Sequence, residues 1–340
     1  MRGVTFIGNS NVELRDYDDP IPGPRDVILE IKASGMCGTD LKGYRRPHNG
    51  KDFYIAGHEP CGIVVEVGKH VSETEARIDD RVMVHHYNGC GSCKHCIEGW
   101  SQLCDAGPEV YGSGQGHGAH AKFMRVAAHT LVPLRSELSY TTGAAISCGT
   151  GTAFGALKRL GVEGDETIAV FGMGPVGLSI AQFGSKMGAR VIAIETSPER
   201  RSLAKAKGAN YVIDPLTNDP VEAIFDITHG QGAHKSIETA GVQAARSASV
   251  KSVCKWGTAC FVAGGGQFNF EVGPDLTFRQ VSLIGHWTFS KTGQADCARF
   301  VAERKIDVDS LFTHRWRLDQ AEKAYSTLDQ QNTGKGVFIL

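Results

Sequence analysis

The stretch Glu166-Thr167-Ile168-Ala169-Val170-Phe171-Gly172-Met173-Gly174-Pro175-Val176-Gly177 decides the fold. Its first six residues form an apolar, β-branched run of the length expected for a buried parallel strand, and glycines follow at once in G-x-G-x-x-G spacing. Gly172 permits a tight turn, Gly174 lets a backbone approach a pyrophosphate, and Gly177 lets the next helix lie close to the strand. Pro175 and Val176 open that helix, with Pro175 where a missing N–H costs little. The pattern predicts a helix from Pro175 to about Met187, stopped by Gly188, and then a second strand, Arg190-Val191-Ile192-Ala193-Ile194, that delivers Glu195. An acid at that point is placed to accept hydrogen bonds from adenosine ribose hydroxyls, so strand, turn, helix, strand and acid together point to dinucleotide binding. A carboxylate repels a ribose 2′-phosphate, which favours NAD over NADP. Arg200 and Arg201, on what reads as an exposed basic turn just beyond, keep NADP open.

Downstream, Val212-Ile213-Asp214, the run Ser236 to Gly241, Thr258 to Ala263 and Val281 to Ile284 read as four further strands with helical runs between several of them. After Gly285 the pattern changes. A helix is expected from Ala295 to Glu303, a second one capped by Asp319 and running through Leu328, and a last strand from Gly336 to Leu340. Upstream, Val12-Glu13-Leu14-Arg15 and the run Val27 to Ala33 alternate as strands, with a break from Pro20 to Pro24. The expected class is α/β, a strand-and-turn domain ahead of a doubly wound parallel-sheet domain.

A chain of 340 residues is long enough for two domains with substantial cores. Its 36 basic and 37 acidic residues leave a formal net charge of −1, and no basic run suggests a nucleic-acid or membrane-surface partner. The N-terminus has no long apolar core and no run would span a bilayer, so a cytoplasmic protein is expected. In that reducing compartment its ten cysteines read as metal ligands where they cluster.

Cys90, Cys93, Cys96 and Cys104 are separated by two, two and seven residues, with Gly91 and Gly99 between them. Four thiolates so spaced wrap one tetrahedral ion and leave no position for substrate, so such a site is structural; an iron–sulfur cluster is the competing reading. Cys37 in Gly35-Met36-Cys37-Gly38-Thr39-Asp40, His58 in Gly57-His58-Glu59-Pro60 and the distant Cys148 would form a two-sulfur, one-nitrogen set that suits zinc and keeps one position open. Spacing alone does not connect these three. Cys61, Cys254, Cys260 and Cys297 lack ligand spacing and read as packed thiols.

These pieces, with Leu131-Val132-Pro133-Leu134 and the fingerprint from Val170 to Glu195, resemble the zinc-dependent alcohol and polyol dehydrogenases of the medium-chain dehydrogenase/reductase superfamily over essentially the whole chain. The resemblance implies a GroES-like, mainly-β catalytic domain (1–149 and 287–340, zinc lobe about 89–105) interrupted by a Rossmann domain (150–286). It implies two Zn2+ per chain and a small alcohol, polyol or sugar-like substrate. Residue by residue, it makes Cys37, His58 and Cys148 the catalytic zinc ligands and Glu59 the acid beside the zinc. Thr39 becomes the hydroxyl receiving the substrate proton, and Cys90, Cys93, Cys96 and Cys104 the structural set. Thr152 would pack near the nicotinamide, which Ala263-Gly264 and Ile284-Gly285 would approach from the other side. Relatives associate as homodimers or homotetramers.

The chain also departs from that pattern. Where relatives with a longer proton relay have histidine, it has Lys42, so Lys42 itself, His48 or water would carry the proton out. Many polyol dehydrogenases use an acid where this chain has Cys148, and relatives usually open the Asp79-Asp80-Arg81-Val82 turn with glycine. Phe53, Tyr54, Tyr111, His117, His120 and Trp287 are candidates for a substrate pocket, and the polar run Gly112 to His120 reads as a hydroxyl-binding segment or as a plain turn. Two alternatives stand beside the dehydrogenase: a zinc-free enone or quinone reductase of the same superfamily, and a non-catalytic zinc protein that senses the dinucleotide.

Overall fold

A computed structural model describes residues 1–47, 53–114 and 116–340. The chain forms two compact units: Met1–Gly151 with Phe289–Gln331 and Lys335–Leu340, and Thr152–Thr288 with Asn332–Gly334. Among the described residues no helix is long and apolar enough to cross a membrane.

The second unit is built on the glycine-rich stretch. Thr167–Phe171 is buried at all five positions and pairs in parallel with Arg190–Ile194 on one side and Ala233–Glu238 on the other. A central strand covered on both faces has no polar side to alternate with, which is why it reads as continuous apolar sequence. The six strands lie in the order Tyr211–Ile213, Arg190–Ile194, Thr167–Phe171, Ala233–Glu238, Val253–Phe261, Ser282–Gly285. Numbered along the chain this is 3-2-1-4-5-6, the doubly wound order whose strand ends hold dinucleotides. Phe171, Ile192, Ile194, Ile213 and Ile224 pack a core under one face of the sheet. Helix Pro175–Met187 begins and ends as expected, with Gly188 closing it at φ 99°, a left-handed conformation that suits glycine. Two more helices start with proline at the first position behind a side-chain cap: Ser197 accepts from Arg200 N–H, and Asp219 from Val221 and Glu222 N–H.

The first unit is organised around a seven-stranded sheet. Its path runs Phe312–Trp316, Lys335–Ile339, Asp26–Gly35, Glu59–Val67, Arg81–Val84, Leu131–Pro133, with Phe123–Ala127 also on Asp26–Gly35. Val27, Leu29, Ile31, Val64, Val82, Val84, Met124 and Val126 fill its centre. Strands Asp26–Gly35 and Glu59–Val67 pair antiparallel with Gly35 opposite Glu59, so the residues after one strand and before the other meet at that end. Asp79 takes φ 70° while its N–H donates to Val64 O at 2.9 Å. Asp tolerates this left-handed turn at a cost that glycine would avoid.

Two expected helix starts need correction, and one strand went unassigned. Arg2–Gly8 is a strand paired with Asn11–Asp16 and was not foreseen. The helix expected from Ala295 starts earlier, at Lys291, because Ser290 caps it by accepting from Gly293 N–H. Asp319 caps no helix: it pairs with Arg317 at 2.9 Å in a 3-10 turn, and the helix proper is Ala321–Asp329.

Candidate functional site

Four ligand-capable side chains, Cys37, His58, Glu59 and Cys148, converge in the first unit with their donor atoms all within 4.8 Å of one another. Cys37 follows strand Asp26–Gly35, His58 and Glu59 open strand Glu59–Val67, and Cys148 directly precedes helix Gly149–Leu160. Gly57, at φ 93°, makes the turn into His58. Cys37 Sγ and Cys148 Sγ lie 3.9 Å apart. The Cys148 thiol donates to Cys37 and, aided by His58 and against burial, holds Cys37 well below its ordinary range; the same contact drives Cys148 up. In effect the two sulfurs share one proton, which a soft cation would displace.

Each remaining member has a fixed partner. His58 Nδ1 is 3.0 Å from Asp40 Oδ1. Burial works against charge on His58, but the Asp40 carboxylate outweighs it and raises His58 well above its usual value. Asp40 Oδ2 in turn accepts from Cys37 N–H at 2.9 Å, which ties the loop of one candidate ligand to the ring of another. Glu59 is fully buried and its Oε2 pairs with the ammonium of Lys335, itself buried and donating to Met36 O at 3.2 Å. Burial pushes the Glu59 carboxyl up, with Lys335 opposing the rise. Glu59 Oε1 has no hydrogen-bond partner among the described residues. Two sulfurs, an imidazole whose Nδ1 is already engaged, and an unpartnered buried carboxylate oxygen fit a zinc ion.

Thr39 is exposed beside this set, its Oγ1 3.6 Å from Cys37 Sγ. Lys42 is exposed one turn along the short helix Asp40–Arg45. His48, the other candidate for the relay, lies outside the described residues, as does Gln115 in the polar run. The rest of that run forms a turn: Gly112 N–H donates to Gly116 O at 2.9 Å. Of the pocket candidates, Tyr111 accepts from Ala127 N–H at 2.9 Å, His117 Nδ1 accepts from Ile55 N–H at 3.1 Å, and His120 is completely buried. These side chains hold the unit's own backbone and interior together. Tyr54 is buried, whereas Trp287 is exposed. Sequence reasoning missed His86, a buried imidazole whose ring centre is 5.1 Å from that of His58 and whose Nδ1 donates to Ser147 O at 2.9 Å.

Cys90, Cys93, Cys96 and Cys104 form the second cluster, again with donor atoms within 4.8 Å. Backbone N–H groups point at the sulfurs: Cys93 N–H donates to Cys90 Sγ and Cys90 N–H to Cys104 Sγ, both at 3.3 Å. Gly91 at φ 73° and Gly99 at φ 84° make the wrap possible. This is the donor set of a closed tetrahedral site.

In the second unit, Gly172 turns at φ 94° and packs against Ala240. A Cβ at Gly177 would run into Gly172 O, whereas one at Gly174 would meet nothing within 4 Å. Close helix–strand contact at one glycine and an open backbone face at another are what a pyrophosphate cradle needs. Glu195 is buried, and its carboxylate grips its own chain: Oε2 accepts from Met173 N–H at 2.7 Å and Oε1 from Ser197 N–H at 3.0 Å. The basic turn is not exposed as expected. Arg200 is buried and its Nε donates to Thr333 O at 2.9 Å, because the helix presents it inward; Arg201 pairs with Asp214 at 3.0 Å. Thr152 is buried, Ala263 and Ile284 are half-buried, and Gly264 and Gly285 are exposed.

The chain matches two family models: the alcohol dehydrogenase GroES-like domain over residues 23–136, and zinc-binding dehydrogenase over residues 175–303. It is 35% identical to the zinc-type alcohol dehydrogenase-like protein YphC of Escherichia coli, covering 97% of this chain and 96% of that protein. An alcohol dehydrogenase of Geobacillus stearothermophilus is 30% identical over 87% of both chains. Among solved structures, alcohol dehydrogenase TADH of Thermus sp. ATN1 superposes with a TM-score of 0.91 at 25% identity, covering 100% of this chain and 99% of that one.

Proposed function

Since the chain belongs to the zinc-dependent alcohol dehydrogenases of the medium-chain dehydrogenase/reductase superfamily, we propose that it is an NAD-dependent oxidoreductase moving a hydride between a small alcohol or polyol and the nicotinamide. The observation that carries this reading is the coexistence of an open ligand set, Cys37, His58 and Cys148 with Glu59 beside them, and a glycine turn with an outward Gly174. A zinc-free reductase or a dinucleotide sensor needs no such open set.

Cys37, His58 and Cys148 would hold one zinc, and Cys90, Cys93, Cys96 and Cys104 a second, structural one. The first supplies Lewis-acid polarisation of a substrate oxygen and the dinucleotide the hydride acceptor. The protein's own part is position and charge. Asp40 engages His58 Nδ1 and so leaves Nε2 for the ligand set, and Lys335 pairs with Glu59 beside it. Thr39, its Oγ1 beside Cys37 Sγ, would take the substrate's hydroxyl proton, and Lys42, exposed like Thr39, would pass it on to solvent. Gly172, Gly174, Pro175, Val176 and Gly177 would seat the pyrophosphate. Glu195 maintains that turn and places negative charge where a 2′-phosphate would lie, which favours NAD over NADP. The test is absorbance of reduced nicotinamide across alcohols, polyols, sugars and hydroxy acids with NAD and with NADP, zinc being counted in the same preparation. Turnover with two zincs per chain supports the reading; a single zinc per chain, or turnover by a zinc-free preparation, defeats it.

A further inference from the structure

Behind His58 and Asp40 runs a chain of three more buried polar side chains, Ser34, His120 and Tyr325, that no part of the proposed reaction uses. His58 Nδ1 is 3.0 Å from Asp40 Oδ1; Tyr325 OH is 3.1 Å from Asp40 Oδ2; His120 Nε2 is 2.7 Å from Tyr325 OH; Ser34 Oγ is 2.7 Å from His120 Nδ1. Ser34, His120 and Tyr325 are each fully buried, and Asp40 nearly so. These residues come from four separate parts of the first unit: strand Asp26–Gly35, the start of helix Asp40–Arg45, the segment before Phe123–Ala127, and helix Ala321–Asp329.

The donors and acceptors can be assigned in only one way. The Asp40 carboxylate has no proton to give, so the single proton of Tyr325 OH points to it. The Tyr325 oxygen is then an acceptor, and the proton it accepts must come from His120 Nε2. A neutral imidazole with Nε2 protonated offers Nδ1 as acceptor, so the Ser34 hydroxyl donates there. At the other end, Asp40 Oδ1 accepts from His58 Nδ1–H, so Nε2 is the ring nitrogen left for a metal, which would take the place of any proton there. All the hydrogen bonds therefore run toward Asp40, two of them in series behind the Tyr325 one, and bonds aligned head to tail in a dry interior polarise one another. His120 is held in place besides: its ring packs edge-on to Phe338 with centres 4.7 Å apart, and it fills the space where a Cβ on Gly57, the residue before His58, would otherwise go.

We propose that Ser34, His120 and Tyr325 are positioning residues for the catalytic metal, an aligned hydrogen-bond chain that acts through Asp40 to lock the tautomer and angle of His58. This rests on the zinc reading of the Cys37, His58 and Cys148 set. A histidine ligand whose remote nitrogen is anchored binds its metal more tightly, and losing such an anchor typically costs about 10- to 100-fold in affinity or activity.

The experiment is zinc release from the full chain under challenge by a colorimetric chelator, with the visible spectrum of the cobalt-substituted protein as second readout. The parent is counted first. If it does not carry two zincs, the functional reading fails and takes this inference with it; if it does, the variants test the inference alone. Tyr325→Phe and His120→Phe should release one zinc per chain about 10- to 100-fold faster, with the other zinc leaving at the parental rate and the cobalt bands shifted. His120→Gln, which retains a donor and an acceptor, should restore near-parental release. Release of both zincs at parental rates from Tyr325→Phe and His120→Phe would overturn the proposal, as would equal acceleration of both, which is the signature of general loosening. Should either variant fail to fold, Ser34→Ala removes only the far hydroxyl: faster loss of the same single zinc supports the chain, and unchanged release rejects it.

Discussion

Met173 N–H donates to Glu195 Oε2 at 2.7 Å, joining the middle of the glycine turn to the acid 22 residues later. The fingerprint acid is thus part of the turn's own construction. Glu195→Ala should leave the buried Met173 N–H without a partner, an omission worth about 1–3 kcal/mol, and should weaken NADH binding because the turn loses its shape. Denaturation by urea and fluorescence titration with NADH check both. Parental affinity together with parental stability would show that the turn holds itself.

Cys148→Ser removes one sulfur from the open set while every residue of the glycine turn belongs to the other unit. The expected result is loss of one zinc per chain and of turnover, with NADH binding retained. Zinc counting, activity and dinucleotide titration on one preparation decide it, and retained turnover would remove Cys148 from the ligand set.

The fingerprint was legible because strand, turn and helix each impose a local constraint that sequence displays directly. Gly188 and Pro175 mark the helix ends since no other residue types suit those backbone positions so well. The four-cysteine lobe was legible for the same local reason. What sequence could not display is anything made by register between distant segments. Lys335 meets Glu59 only because strand Lys335–Ile339 lies beside Asp26–Gly35, and nothing near either residue announces it. His120 read as a pocket residue because a histidine among glycines resembles a binding loop; its fully buried position follows from packing against Tyr325 and Phe338, both some two hundred residues away. Arg200 misled in the same way, because its helix turns it inward to Thr333.

Burial pulls the His120 imidazole down to about 4, against an ordinary value near 6.5. The unfolded chain therefore binds a proton at this residue below about pH 6.5 that the folded chain refuses until about pH 4, so this contribution to stability is complete above pH 6.5 and falls away as pH drops toward 4. At pH 5.5 the loss is about 1.4 kcal/mol. Urea midpoints of the zinc-loaded parent and of His120→Gln, each at pH 7.5 and pH 5.5, should show a smaller acid-induced drop in the variant. Equal drops in the two proteins would place the acid sensitivity elsewhere.

The buried pair of Lys335 and Glu59 invites a last test, because removing one charge differs from removing both. Lys335→Met strips the fully buried Glu59 of its counter-charge, and breaking a buried pair in this way costs about 3–5 kcal/mol. The carboxyl, which burial already pushes up against the pull of Lys335, would move further up and protonate. Glu59→Gln combined with Lys335→Met removes both charges and should recover most of that stability, since the desolvation cost disappears with the pair. The double variant should nevertheless turn over more slowly if Glu59 acts beside the metal, whereas parental kcat in a stable double variant would make the pair purely structural. Urea midpoints for the two single variants and the double, read against kcat for the same three proteins, separate the two roles, because the stability coupling comes from the pair and the rate effect from Glu59 alone.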